Sequence, residues 1–312
     1  MVKDIHIIHA PVNLGLSRHA NGKERGCDKL PDALKMVGFH STLDPTATKI
    51  LPKPTYPEEK VYNDGALNGN VLASFSIDLA DAVEEVLDTK GFPLVLGGDC
   101  SILVGSTLAL ARKGRFGLIH LDAHPDYYHR GNKEYAVVGG MALAIITGKG
   151  TDILSNLENR KPYVKSKHVL TLGYRESDPE QDIIAEAEMD EISCWSAEYV
   201  MREGLDKTTE HLNDFVKHEG VDGYWLHLDA DVLDGSIMPC VDCPEPNGLQ
   251  FSELKVLLKT ILQSHKIIGM NVTILDPELD NNNEVTKAFS DMLIEAFKEN
   301  KDITQNNPVG NK

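Results

Sequence analysis

Two short apolar runs constrain this chain most, because each stops on a set of spaced acidic side chains. Leu118-Ile119-His120-Leu121 leads into Asp122-Ala123-His124-Pro125-Asp126, and Tyr224-Trp225-Leu226-His227-Leu228 leads into Asp229 and Asp231, with Asp234 just beyond. Runs of this length, rich in aliphatic and aromatic residues, read as buried strands. A strand sends alternate side chains to one face, so Asp122, His124 and Asp126 converge if the chain leaves its strand at Asp122 and curls over the sheet edge. Carboxylates from both strand ends, gathered in one low-dielectric cleft, would repel one another by roughly several kcal/mol unless a cation neutralised them. Two divalent ions sharing bridging carboxylates would do that. The competing reading is a pair of polar loops that never meet.

Around these runs, β-rich segments alternate with amphipathic helical ones, which argues for a parallel sheet covered by helices on both faces. The expected strands are Ile5–His9, Pro93–Leu96, Phe116–Leu121, His168–Leu172, Glu191–Cys194, Gly223–Leu228 and Ile267–Leu275, with Lys60–Tyr62 a weak addition. The expected helices are Pro31–Val37, Val71–Leu87, Ser101–Arg112, Met141–Thr147, Asp178–Ala187, Lys207–Glu219, Ser252–Gln263 and Glu284–Glu299. Ser41–Glu58, with four prolines, reads as a surface loop. No internal repeat or linker divides the 312 residues, so residues 1–299 are expected to form one domain and residues 300–312, polar and free of aromatics, a flexible tail.

The net charge of -17 argues against a nucleic-acid partner or an anionic membrane surface. The five cysteines (Cys27, Cys100, Cys194, Cys240, Cys243) are an odd, scattered set that suits a reducing compartment. The start, Met1-Val2-Lys3-Asp4, opens no signal-peptide core, and the most apolar window, Phe92 to Ala111, is broken by Gly97-Gly98-Asp99. A cytoplasmic protein is expected.

In open parallel sheets ligands bind beyond the carboxyl ends of the strands, and the unusual residues fall there repeatedly. Gly97-Gly98-Asp99-Cys100, the Asp122 and Asp229 clusters, Gly173-Tyr174-Arg175 and Asp276-Pro277 each follow a strand. In order and spacing, Gly97–Cys100, Asp122–Asp126 and Asp229–Asp234 resemble three motifs of the ureohydrolase superfamily (arginase, agmatinase, formimidoylglutamase). These are its Gly-Gly-Asp-His turn, its Asp-Ala-His-x-Asp run and its Asp-x-Asp-x-x-Asp run. The resemblance covers nearly the whole chain, and Lys29-Leu30-Pro31-Asp32-Ala33-Leu34 adds a weaker match to a helix start of that family.

The resemblance implies a three-layer α/β/α fold with a parallel sheet of about eight strands, and a two-ion centre, usually manganese, that activates a hydroxide. Carried over by position, Asp122 and Asp229 would bridge the ions, Asp126 and Cys100 would complete one, and His124 and Asp231 the other. It also implies a small-molecule substrate and a homo-oligomer, trimeric or hexameric. Cys100 stands where the family has histidine, and a thiolate there would favour zinc, iron, cobalt or nickel.

Further departures touch the substrate side. Gly139, in Val138-Gly139-Gly140-Met141, replaces a histidine associated with proton transfer. Ile274 stands where many members carry the glutamate that holds a guanidinium, and Tyr128 and Tyr135 replace small polar residues near the substrate. Asp178 matches an acidic position that helps bind an α-amino group, and Glu245, in Pro244-Glu245-Pro246, is a candidate substrate neighbour or a turn residue. Asp126 and His129 are the candidates for proton transfer, His129 weighed against a simply solvated histidine. His120 and His227, inside the strands, read as core or supporting histidines. Cys240-Val241-Asp242-Cys243 has redox or zinc-knuckle spacing without a second pair. Two functions follow: a metal-dependent hydrolase of linear C–N bonds (amidine, guanidine or amide), with arginine itself doubted, or a catalytically silent relative serving as a binding or regulatory subunit.

Overall fold

The computed structural model describes residues 4–132, 136–176, 181–217 and 219–305. Eight strands form the central sheet: β1 (Ile5–His9), β2 (Ala47–Ile50), β3 (Phe92–Leu96), β4 (Phe116–Leu121), β5 (Val169–Leu172), β6 (Ser193–Trp195), β7 (Gly223–Asp229) and β8 (Ile267–Thr273). Their spatial order is β2-β1-β3-β8-β7-β4-β5-β6, and every pairing is parallel. A parallel strand can be re-entered only after a crossover, and helices such as Gly69–Asp88, Ile102–Lys113, Phe251–Gln263 and Glu284–Gln305 supply it. Because these helices flank the sheet, the central strands are covered on both faces. Every residue of β3 and β7 is buried, which is why they read as continuous apolar runs.

Seven of the expected strands are present, with ends shifted by at most two residues. The eighth is a correction, since Ala47–Ile50 lies inside the stretch read as loop. It pairs with β1 alone at the sheet edge and all four of its residues are exposed, so no apolar alternation marks it. The weak candidate at Lys60–Tyr62 is instead the two-residue strand Tyr62–Asn63, paired with Ala66–Leu67 in a separate antiparallel hairpin. The final helix runs to Gln305, across the expected start of the tail.

Parallel pairing brings the carboxyl ends of β3, β8, β7, β4 and β5 to one edge side by side. After β3 the chain turns through Gly97 and Gly98, both at positive φ. A Cβ at Gly98 would lie 2.8 Å from the Val12 carbonyl oxygen, so only glycine allows this turn to pass under the β1 loop. Asp99 then anchors the turn, accepting hydrogen bonds from the N–H groups of Gly15 (2.8 Å) and Ser101 (2.8 Å). Burial pushes the Asp99 carboxyl up to about 6.

Candidate metal centre

The two acidic strand ends meet. Ligand atoms of Cys100, Asp122, His227 and Asp229 lie within 4.8 Å of one another, as do those of Asp122, His124 and Asp231, and those of His120, Asp122 and Asp126. Asp122 belongs to all three groups and Asp229 is its counterpart on the neighbouring strand.

Local backbone geometry aims these side chains. Asp122 directly follows β4 and its Oδ1 accepts the His124 N–H at 2.7 Å, while Asp229 ends β7 and its Oδ1 accepts the Asp231 N–H at 2.9 Å. Each acid therefore caps its own turn with one oxygen and keeps the other for the cleft. The two turns are tied across the sheet, because Asp231 Oδ1 accepts the Ala123 N–H at 3.1 Å and Asp231 Oδ2 lies 2.9 Å from His124 Nδ1. Arg175, beyond β5, is buried and donates to the carbonyls of Gly173 (2.6 Å), Asp231 (3.1 Å), Leu233 (3.0 Å) and Pro246 (3.1 Å), which pins the loop after β7 over the sheet edge. Cys100 reaches in from the β3 turn and its thiol donates to Asp229 Oδ2 at 2.8 Å.

The electrostatics are those of a site that wants positive charge. Burial, then the charges of Asp126, Asp231 and Asp229, push the Asp122 carboxyl well above the usual carboxylate range. Burial and the neighbouring Asp231 do the same to Asp229. Burial also opposes ionisation of Asp231, but the paired His124 imidazolium outweighs it and holds that carboxyl low. The Cys100 thiol is pushed well up by burial and then by Asp229, Asp126 and Asp122. Divalent cations fit this donor set: Asp122 Oδ2 is fully buried without a hydrogen-bond partner, a costly state for a carboxylate oxygen unless something else satisfies it.

Other sequence candidates fall elsewhere. His129 is buried, its Nδ1 accepts the Gly131 N–H (2.9 Å) and its Nε2 lies 3.0 Å from Glu186 Oε1, so both ring nitrogens are engaged away from the carboxylates. Tyr128 is packed into the hydrophobic core at 8% exposure. Tyr135 and Asp178 lie outside the described residues. Glu245 does reach the centre, grouped within 4.8 Å with His124 and Cys243. The Cys240–Cys243 pair separates: Cys240 is buried, whereas Cys243 is exposed beside His124. Cys243 and Glu245 are two apart, and that alternate spacing was the available signal for their shared direction.

Gly139 and Ile274 offer no polar side chain at the two positions where the resemblance expects a histidine and a glutamate. A Cβ at Gly139 would meet only the Leu16 side chain at 3.0 Å and the Gly15 carbonyl at 3.3 Å. Ile274 follows β8 at φ +73 and is buried. A β-branched residue in the left-handed region is strained, at a cost of about 1–3 kcal/mol.

The family model for the arginase family matches residues 3–297. The arginase of Bacillus subtilis (strain 168) is 30% identical over 298 residues, covering 94% of this chain and 97% of that protein. The arginase of Bacillus caldovelox is 30% identical over 306 residues, covering 96% and 99%. Its native structure at pH 5.6 superposes with a TM-score of 0.83 at 29% identity, over 95% of this chain and 98% of that one. A formimidoylglutamase structure from Bacillus subtilis subsp. subtilis str. 168, at 20% identity and a TM-score of 0.71, shares the fold over 94% of this chain and 85% of that one. With its family match running nearly end to end over a sheet edge rich in ligand groups, the chain belongs to the arginase family of metal-dependent hydrolases that act on C–N bonds.

Proposed function

We propose that this protein hydrolyses a linear amidine, guanidine or amide less cationic than arginine, at a two-ion centre held by Cys100, Asp122, His124, Asp126, Asp229 and Asp231. The observation that carries the reading is the convergence of Asp122 and Asp229 from adjacent strands, with ligand atoms within 4.8 Å. Divalent ions there would supply Lewis acidity and lower the pKa of water. Cys100 favours zinc, iron, cobalt or nickel over manganese.

The chain's own groups take the remaining tasks. Asp126, buried beside Asp122, is the proposed proton acceptor from the attacking water. The Asp231–His124 pair fixes the imidazole and the loop that carries it. Glu245, at the exposed side of His124, is the proposed substrate contact, and it offers one carboxylate where Ile274 offers none. A guanidinium placed against Ile274 would lose hydration without an anionic partner, at a cost of roughly several kcal/mol. Asp178 and Tyr135 remain proposed substrate neighbours on the resemblance alone.

Gly139 and Ile274 also favour a second reading, a catalytically silent relative that keeps the fold, with as little as one ion, and serves as a binding or regulatory subunit. Elemental analysis of the purified protein, followed by assays of arginine, agmatine, guanidinobutyrate, formimidoylglutamate and simple amides with the metal found, separates the two. Turnover of any of these C–N substrates supports the hydrolase, rapid urea release from arginine overturns the specificity, and metal without turnover favours the silent subunit. Absence of bound metal removes the centre itself.

The family resemblance also supports assembly of a single-domain chain, residues 1–299, into trimers or hexamers, which sedimentation will resolve. No helix among the described residues is long and apolar enough to cross a membrane. The five free cysteines support a cytoplasmic location.

A further inference from the structure

Two histidines lie directly beneath the carboxylates. His120 on β4 and His227 on β7 are paired in register, and their rings stack with centroids 4.7 Å apart and planes 8° from parallel. Both are fully buried, and neither Nε2 has a hydrogen-bond partner. They lie 3.3 Å and 3.8 Å from Asp122 Oδ2, near that oxygen but not aligned for a hydrogen bond to it. Two buried ring nitrogens and a buried carboxylate oxygen thus converge without satisfying one another, an expensive arrangement for a core.

The opposite ring edges distinguish the two histidines. Trp225 Nε1–H can only donate, and it lies 2.6 Å from Asn271 Oδ1, so that atom is the amide oxygen. The Asn271 amide nitrogen then faces His227 Nδ1 at 2.8 Å and donates to it. His227 Nδ1 is therefore unprotonated, and the proton of the neutral ring sits on Nε2. That nitrogen is a donor beside Asp122 and has no lone pair for a cation.

His120 carries no such constraint. Its Nδ1 lies 3.1 Å from the Thr171 hydroxyl, whose oxygen can accept a hydrogen bond from Nδ1–H and so leave the lone pair on Nε2. A hydrogen bond from the far ring nitrogen is the usual support of a metal-bound histidine. A ring nitrogen of His120 lies within 4.8 Å of ligand oxygens of Asp122 and Asp126, and Nε2 is the one 3.3 Å from Asp122 Oδ2. Cys100 leaves that ion position without an imidazole from the β3 turn.

We propose that His120 Nε2 is a metal ligand, supplying from β4 the imidazole nitrogen to the ion held by Asp122 and Asp126, while His227, with its proton fixed on Nε2, stays out of the coordination. This rests on the two-ion reading above and deepens it. The donor set of the first ion becomes imidazole, thiol and carboxylates, which suits a borderline transition metal.

Cobalt(II) added to the metal-stripped full-length protein tests this, with affinity read by chelator competition and coordination by X-ray absorption. In the wild type the absorption fine structure should show imidazole scattering from both His120 and His124. H120Q should weaken the tighter cobalt site by about 100-fold and remove part of that scattering, and T171V should weaken it by about 10-fold. H227Q, whose amide can still donate, should weaken it less than H120Q does. Unchanged affinity and scattering in H120Q, alongside loss of cobalt in Asp229→Ala, would overturn the role of His120 and leave the metal centre standing. Unchanged cobalt binding in Asp229→Ala would remove the centre on which the inference rests. If H120Q fails to fold, T171V and the wild-type scattering decide: no imidazole beyond one histidine overturns the assignment.

Discussion

The floor of this site and its rim differ in kind. The floor, built at and just beyond the ends of β4 and β7, is dense in charge: Asp122, Asp126, Asp229 and Asp231 are buried there, with backbone N–H groups orienting three of them. At the rim, Gly139 offers no side chain, Ile274 offers an aliphatic one in a strained conformation, and the polar groups Cys243 and Glu245 come from a loop. Holding cations places strict demands on geometry, and strand ends meet them. Recognising a substrate can be altered one side chain at a time. Equipment for ions without equipment for a guanidinium points to a changed substrate more than to a lost reaction.

The sharpest way to break the contrast is at the floor. Asp229→Ala removes a carboxylate proposed to bridge the ions and should abolish bound metal, together with any hydrolysis, while Cys100→Ala should at most lower the metal content. Elemental analysis of both variants checks this, and equal content in wild type and Asp229→Ala would sink the centre.

Rebuilding the rim should have the next largest effect. Gly139→His with Ile274→Glu supplies the proton carrier and the carboxylate that the resemblance expects there, and guanidine hydrolysis should rise by about 100-fold or more, the scale of a positioned acid–base group. The Leu16 side chain must shift by a few tenths of an ångström to admit the new Cβ at position 139. A double variant that loads metal yet gains no urea release from guanidines would show that the rim is not what blocks them.

Cys100→His should move metal preference rather than remove it, toward manganese over zinc by roughly tenfold in competition experiments. An unchanged preference would mean that the thiol does not touch the ion.

The smallest effect lies away from the site and serves as its control. His9 and His40 share a hydrogen bond at 2.8 Å between their Nε2 atoms, and His40 is held down to about 4, first by burial and then by His9 and Lys35. A lowered imidazole pKa contributes stability that is fully present above about 6.5 and is lost as pH falls through about 4. With solvent screening, this amounts to about 1–2 kcal/mol. Urea midpoints at pH 7 and pH 4.5 should fall further in the wild type than in H40Q, while metal content at pH 7 stays equal.

Much of the floor was legible because its residues are local: an apolar run followed by acids at alternate positions states both a strand and a direction. The convergence of two such runs followed from parallel strand order. The rim was less legible because its members come from separate loops. His129 looked like a loop histidine free to carry protons, but Gly131 and Glu186 take both of its nitrogens, contacts that no spacing rule announces. The edge strand Ala47–Ile50 was hidden for another reason, since a strand with no buried face leaves no pattern to read. His120 and His227 were visible as strand histidines, but the difference between them lies in Trp225, Asn271 and Thr171, on three strands.

The contact from Trp225 to Asn271 and on to His227 gives the molecule a built-in lamp. The chain has two tryptophans, and only Trp225 is fully buried, its indole packed so closely on Gly269 that a Cβ there would overlap the ring at 2.2 Å. Its N–H is the far end of a hydrogen-bonded line whose near end stands beside Asp122. A cation arriving at that carboxylate should change the field along the line, so a shift in ultraviolet emission from Trp225 on adding metal is the expected readout of loading, and unchanged emission in a protein that binds metal would show that the line does not sense it.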